Sequence, residues 1–445
     1  MAVSSAPLWP ELSLMTECRR WMETALEHLD PSNAEAPRQE MALQTARAHA
    51  LIYAACTRAE AYEALNRACT LAETAHDTDY LLRGLASRAL EHTRFEDFQG
   101  ALAVARQAEE IVGPSGGISA ASAVNCLTGY CLFLLARYRE ALTYCQKAHH
   151  DMTQDERRSQ IVRFGCDFSI FARGIEAQIY WFRGLIEHSA EASRDALTQA
   201  EARGHPQTLG IALGWCGCRM SLKFGDLEAA ERSIARLKDI TERHSLTNYR
   251  FACIGYSGQL CADRGDSTAG VELVRAALKG FREAEHENFY TAFLLRLAAV
   301  LASANRYREG LDAIDETLHR IERSGKHWLA TEALRVKGDL LMTSPGADRA
   351  EAASYLRRSL ELARHQGAQS SELLAAMSYG RWLHSQDRAQ EAYELLSSVY
   401  TRFTEGFRFP DLQAAKQLLD AWAPNRARSS SYEAGLYHSP GSRLG

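Results

Sequence analysis

Apolar positions recur at helical spacing along this chain and are interrupted by short polar turns. In residues 11–30, Leu14, Cys18, Trp21, Met22, Ala25 and Leu29 fall near one face, and Asp30-Pro31-Ser32-Asn33 ends the run. From about Gln39 the pattern becomes paired: a helix A, a polar turn, a helix B and a second turn. Arg137-Tyr138-Arg139, Phe224-Gly225-Asp226, Arg264-Gly265-Asp266 and Asn305-Arg306-Tyr307 mark the turns into helix B. Gly followed by Asp suits a left-handed helix end and then an N-cap. Helix B closes in the same style at Ala202-Arg203-Gly204, Arg323-Ser324-Gly325 and His365-Gln366-Gly367.

A small residue sits early in each helix B: Ala64, Ala101, Ala141, Ala192, Ala229, Ala269, Gly310, Ala352 and Ala392, spaced 37, 40, 51, 37, 40, 41, 42 and 40 residues apart. Twelve positions earlier, on helix A, stand Ala89, Gly129, Gly217, Ser257, Ala298 and Gly380. The other three anchors land on Ile52, Tyr180 and Leu340; in the last case Thr343-Ser344-Pro345-Gly346 lengthens the turn and Gly338 lies two residues upstream. Small residues facing each other across a turn let two helix axes approach closely, which gives a reason for glycine inside a helix, where it costs about 1 kcal/mol. A period near 40 predicts an all-α superhelical solenoid of about nine helix pairs. The small-residue pair resembles tetratricopeptide (TPR) repeats, stretched beyond their usual length of about 34. HEAT-type units share the period but would not predict that pair.

Two stretches break the rhythm. About eleven extra residues precede Ala192, around Asp151 to Arg158, and Asp411 to Ala423 reads as a closing helix with Leu412, Ala415, Leu418 and Leu419 on one face. The expected organisation is an N-terminal helix and linker (1–36), a TPR-like solenoid (37–423) and a disordered Ser/Gly/Arg-rich tail (424–445).

Composition narrows the function. A formal charge of −5 and a pI near 6.3 argue against a dedicated nucleic-acid surface. The eleven cysteines include no CxxC pair, no export signal precedes them, and no run of about 18 apolar residues occurs. Free thiols in a reducing compartment follow, so a cytoplasmic protein with no membrane association is expected.

Three segments carry a resemblance. They are Pro7-Leu8-Trp9-Pro10-Glu11-Leu12-Ser13-Leu14 with Glu17-Cys18-Arg19-Arg20; Arg163-Phe164-Gly165-Cys166-Asp167 leading to Tyr180-Trp181-Phe182-Arg183-Gly184; and Ala389 to Ala392 through Tyr400-Thr401-Arg402-Phe403-Thr404-Glu405-Gly406-Phe407 to Pro410-Asp411-Leu412. Together they resemble the C-terminal repeat region of bacterial winged-helix transcriptional regulators that carry a STAND-type ATPase. The last segment is also similar to repeat tails of class III adenylate cyclases. The resemblance implies a sensor in signal transduction or transcriptional regulation. No Gly-x4-Gly-Lys-Ser/Thr loop and no strand–Gly-x-Gly-x-x-Gly is present, so the family's ATP and DNA chemistry has no residues here to carry it. The chain starts about where the ATPase would finish, which fits a stand-alone repeat protein, a split-gene partner or a piece of a longer regulator.

Chemistry is sparse. His149-His150 and Cys216-Gly217-Cys218 lie in helical patterns, where Cys216 and Cys218 point roughly 200° apart and do not share an ion. No zinc or nucleophile-elbow motif occurs, and Glu109-Glu110 reads as a solvated face. No enzyme activity, metal or cofactor is expected. The expectation is a protein or peptide bound on the concave A-helix wall, with oligomeric state open. Candidate contacts are Arg163, Asp167, Tyr180, Arg183, Trp215, Arg219, Tyr249, Arg250, Phe289 and Tyr290, with Trp181, Tyr256 and Trp328 continuing the set. Aromatic and Arg residues are favoured interface anchors. The alternative is that the aromatics fill space between pairs and that Asp167 caps the following helix.

Overall fold

The computed structural model describes residues 2–53, 56–113, 117–149, 152–244, 246–325 and 327–423. Among these, nine antiparallel helix pairs follow one another. The A helices are Ala36–Tyr53, Thr78–Arg94, Ile118–Leu134, Phe168–Phe182, a fifth assembled from Pro206–Ala212, Leu213–Cys218 and Arg219–Lys223, then Thr247–Asp263, Glu287–Ser303, His327–Thr343 and Gln369–Ser385. The B helices begin at Arg58, Phe98, Tyr138, Ile186, Leu227, Ser267, Tyr307, Arg349 and Ala389. Pro410–Trp422 closes the array; the tail expected at 424–445 lies outside the described residues.

The A-to-B turn has one recurring geometry. Glu96, Ala136, Gly184, Gly225, Gly265, Asn305 and Asp387 adopt positive φ, and the next N–H bonds back five residues at 2.9–3.1 Å, as from Asp97 to His92 and from Arg388 to Leu383. This is the Schellman closure of a helix end.

Four residues past each N-cap, the N–H of Ala61, Ala101, Ala141, Ser189, Ala230, Gly270, Gly310, Ala352 or Ala392 returns to the N-cap carbonyl, and all nine residues are buried. These are the true anchors, with spacings of 40, 40, 48, 41, 40, 40, 42 and 40. Ala64 and Ala192 sit one turn later on the same buried face, whereas Ala229 and Ala269 precede the contact by one residue and are only half-buried. At the anchors the helix backbones meet. A Cβ on Gly129 would lie 3.2 Å from the Ala141 carbonyl oxygen, one on Gly258 would lie 2.8 Å from that of Gly270, and one on Gly338 would lie 3.1 Å from that of Ala352. Ser189 Oγ donates to the Ala177 carbonyl at 2.6 Å. The 48-residue interval holds an extra helix, Gln154–Phe164, whose Gln160 donates to the Ser119 carbonyl and accepts from the Phe168 N–H.

The second, third and fourth A helices also touch those five pairs further along. Glu96 of pair two accepts from Thr291 Oγ1 of pair seven at 2.7 Å. Phe133 of pair three packs on Trp328 of pair eight, and Ser370 of pair nine donates to the Trp181 carbonyl of pair four. Phe224 of pair five packs on Phe409 beside the closing helix. The superhelix therefore makes a full turn every five pairs, and successive turns lie in contact. Arg94, 3% exposed, fastens them by donating to the carbonyls of Leu51, Cys56 and Ala284. Glu405 does so by accepting from the Glu187 and His188 N–H groups at the start of a B helix, a site that favours negative charge. At the other end, Met15–Glu27 stacks on the first pair, and Ser13 Oγ lies 3.1 Å from Nε2 of His205, the N-cap of the fifth A helix.

The anchor contact makes a firm stability prediction. Gly258→Ala gains helix propensity worth about 1 kcal/mol yet drives Cβ into the Gly270 carbonyl and the Val274 N–H. We expect a net destabilisation of about 2 kcal/mol, read as a lower urea midpoint; an unchanged or raised midpoint refutes the close-packed anchor.

Candidate functional site in the superhelix lumen

Five pairs to the turn bring the inner A helices onto one another. Where the sequence leads one to expect an open concave wall, the lumen is narrow and largely filled by the chain's own rings. Tyr138 stacks on Phe182 at 4.8 Å, and Phe133 meets Trp328 at 5.6 Å and Trp215 at 6.2 Å. A cavity of about 80 Å³ remains, and seven successive A helices contribute to it. Tyr53, Arg94, Tyr130, Phe171, Trp215, Tyr249 and Phe289 each come from a different helix, and Cys166 enters from the loop after the inserted helix. The volume is roughly half of the ~150 Å³ that admits benzene, so the closed form takes a group of only a few heavy atoms.

The cavity wall combines rings with amides. Asn288 Nδ2 donates to Tyr130 Oη at 3.3 Å, and the Trp215 indole N–H donates to the Tyr249 phenol oxygen. Asn248, 6% exposed, presents an Oδ1 with no donor among the described residues. A buried carbonyl left in this way costs about 1–3 kcal/mol, which a hydrogen-bond donor in the cavity would recover. Burial pushes the Cys166 thiol and the Tyr53 and Tyr249 phenols well above their ordinary pKa values, so these groups stay protonated. Such a wall is suited to holding a group rather than to activating one.

Trp215 owes its placement to a π-helical turn, Leu213–Cys218, in an otherwise α-helical element. Such turns are frequent at functional sites. Gly214 leaves room there for the Tyr249 ring, whose carbons would stand 3.1 Å from an added Cβ. Cys216 and Cys218 are both fully buried, and no group that could hold a metal occurs among the described residues.

Beyond Trp215 the lumen becomes charged. The Arg219 guanidinium lies over the rings of Trp328 (4.4 Å) and Trp215 (5.6 Å). It is 8% exposed, and among the described residues no carboxylate comes within ion-pair distance and its Nε has no acceptor. Burial pulls it down to about 10, with the Tyr256 phenol opposing and Arg296 adding to the fall. Desolvating a cation costs several kcal/mol, and each ring face returns about 2. Arg296 lies over Tyr256 and Phe293, and Lys223 sits 3.7 Å over Trp181 and 3.8 Å from Glu332. Burial lowers Lys223 to about 8, whereas Glu332, surrounded by Lys223, Arg335, Arg296 and Arg219, is held at about 2 against its own desolvation.

Of the ten residues singled out from sequence, Trp215, Tyr249 and Phe289 line the cavity and Arg219 adjoins it. The others are elsewhere. Asp167 is buried as the N-cap of Phe168–Phe182 and pairs with Arg157 and Arg203; Arg163 pairs with Asp79. Tyr180 packs on His188, and Tyr290 lies under Arg282 and Arg320. Arg183 opens onto an outer groove with Arg137 and Arg364, and Arg250 is exposed beside Phe251. Tyr53, Arg94, Tyr130, Asn248 and Asn288 were not anticipated: the winding brings the first three to Trp215, and the two amides stand beside Tyr249 and Phe289 on the next two A helices.

No protein-family model matches the chain, and no curated protein sequence does either. Solved structures do. A Rap protein complexed with competence and sporulation factor superposes with a TM-score of 0.55 at 12% identity, covering 86% of this chain and 99% of that one. A STAND protein with a tetratricopeptide repeat sensor from Pyrococcus horikoshii gives 0.43 at 10% identity, covering 88% of this chain and 55% of its own. Yeast Tom70 gives 0.34 at 13%, covering 97% of each. The chain thus has a TPR-like helical-repeat fold. No helix among the described residues is long and apolar enough to cross a membrane.

The inner wall carries a pH signature. His49, one turn before Tyr53 and 7% exposed, is pushed down to about 4 by burial and by the Arg83 charge. A histidine whose folded pKa lies below its unfolded value near 6.5 costs stability as the unfolded chain takes up the proton. Stability should be fully present above about pH 6.5 and fall by about 3 kcal/mol toward pH 4; His205, lowered by burial too, adds in the same direction. His49→Gln should flatten that slope in urea titrations. An equally steep slope in the variant refutes the assignment.

Proposed function

We propose that this chain is a non-catalytic repeat scaffold that senses a ligand, peptide or protein segment on its A-helix face and reports occupancy through the spacing of its superhelical turns. The carrying observation is the cavity to which seven A helices contribute, with Asn248 Oδ1 lacking a donor in its wall. A cavity shared by so many repeats couples what fills it to the winding of the whole array, because each repeat otherwise touches mainly its neighbours. A group larger than the closed volume has to loosen the inter-turn contacts made by Arg94 and Glu96. The like-folded Rap protein in complex with competence and sporulation factor supports this reading.

Within that role we read the chain as the sensor part of a bacterial regulator, the winged-helix STAND type ahead of the cyclase type, acting in the cytoplasm. The Arg163–Asp167 and Ala389–Leu412 segments support it, both being built into the array: Asp167 opens the fourth A helix and Glu405 grips the fourth B helix. In-frame coding sequence with a phosphate loop upstream of Met1 would bear this out, and a stop codon there would sink it.

The ligand reading is tested by selecting random peptides on the full chain. Enriched peptides are expected to lose at least tenfold in affinity on Asn248→Leu, which fills the cavity and removes the carbonyl, with the helical circular dichroism retained. Failure to enrich any peptide, or equal binding to the variant, overturns it.

A further inference from the structure

The charged part of the lumen has a specific chemistry. Arg219 Nε and Trp328 Nε1 are both buried donors with no acceptor among the described residues, and the guanidinium lies against that same indole. Arg296 adds a second cation that forms no ion pair among the described residues, its guanidinium held over Tyr256 and Phe293 instead. Lys223 is shared with a single carboxylate, Glu332, while the other nearby acids are engaged or peripheral: Asp339 binds Arg335 and Ser378, and Asp263 binds Gln259. Asp411 faces Lys223 and Arg335 from the closing helix. Water reaches this level, since the Lys223 and Glu332 side chains are 16% and 37% exposed although neighbours pack all around them. Two unsatisfied buried donors, one on a guanidinium and one on the indole beneath it, with flat aromatic walls and a solvated approach meet the requirements of a site for a planar anion.

We propose that the lumen between Trp215, Arg219, Arg296 and Trp328 binds a carboxylate, the guanidinium of Arg219 and the indole N–H of Trp328 donating to its oxygens. Two sources offer this group: the C-terminus of a peptide, or a small free organic acid. The inference rests on the ligand-sensing reading and deepens it, since Trp215 forms the wall between this site and the cavity. A peptide end seated on Arg219 would place its preceding residue toward the aromatic–amide cavity.

The test titrates the full chain at constant ionic strength with N-acetylglycine, its neutral amide N-acetylglycinamide, and acetate, following tryptophan emission, because Trp215 and Trp328 flank the guanidinium. A saturable change with N-acetylglycine at least tenfold tighter than with the amide is expected. Acetate binding as well as N-acetylglycine assigns the site to free acids; acetate binding at least tenfold more weakly assigns it to a peptide terminus. Arg219→Met should abolish the response. Trp328→Phe, which keeps a ring under the guanidinium but lacks the N–H, should weaken it at least threefold and decides the matter if Arg219→Met fails to fold. Equal affinity for acid and amide, no saturation, or wild-type affinity in a folded variant overturns the proposal. Selected peptides that bind equally as acids and amides would sink this site alone. N-acetylglycine binding without any selectable peptide would sink the peptide reading and leave a free-acid site.

Discussion

The close approach of two backbones at the fourth residue of each B helix is the constraint on which the rest depends. At Gly129–Ala141, Gly258–Gly270 and Gly338–Ala352 a main-chain carbonyl occupies the space that a side chain would take. Each pair is thereby pinched at its A-to-B turn, and the large residues are left to the opposite ends and inner faces. Stacking units of that shape curls the array, and the curl is tight enough that pair two meets pair seven. The lumen, its aromatic filling and the cavity all follow from that angle. Alanine, serine and glycine at nine positions thus shape a site in which none of them appears.

Closure alters the usual economy of a repeat protein. In an open solenoid, stability adds up from units and nearest-neighbour interfaces. Here Arg94 links carbonyls of pair one to the turn after pair six, and Glu405 caps a helix through an N–H that lies 218 residues before it. Long-range contacts of this kind make distant repeats unfold together. They also explain why a charged side chain is tolerated almost fully buried: Arg94 is surrounded by main-chain acceptors.

The period, the paired helices and the closing helix were legible because each is a local pattern. The anchors were read one turn late at Ala64 and Ala192 because residues three apart share a helix face, and both faces are equally buried there. Glu228-Ala229 and Thr268-Ala269 misled by one residue, where Asp226 and Asp266 as N-caps would have fixed the register at Ala230 and Gly270. The candidate site was legible only in part. Trp215, Arg219, Tyr249 and Phe289 lie on consecutive A helices, so their proximity follows from the repeat; Tyr53, Arg94 and Tyr130 join them through the pitch of the superhelix, a quantity no local pattern encodes. Asp167 behaves as an N-cap, which its place before Phe168-Ser169-Ile170 already allowed.

The fifth A helix meets both extremities of the fold. Its N-cap His205 holds Ser13 and the Pro10 carbonyl, and beyond its far end Gly225 abuts Pro410. The segment around Ser13 and the closing helix are therefore moored to opposite ends of one strut about 25 Å long. Tension between them runs along that strut, through the π-helical turn at Leu213–Cys218, where the regular ladder of hydrogen bonds is interrupted. Mechanically, this is the tie-rod of the molecule, and its softest link is the one that carries Trp215.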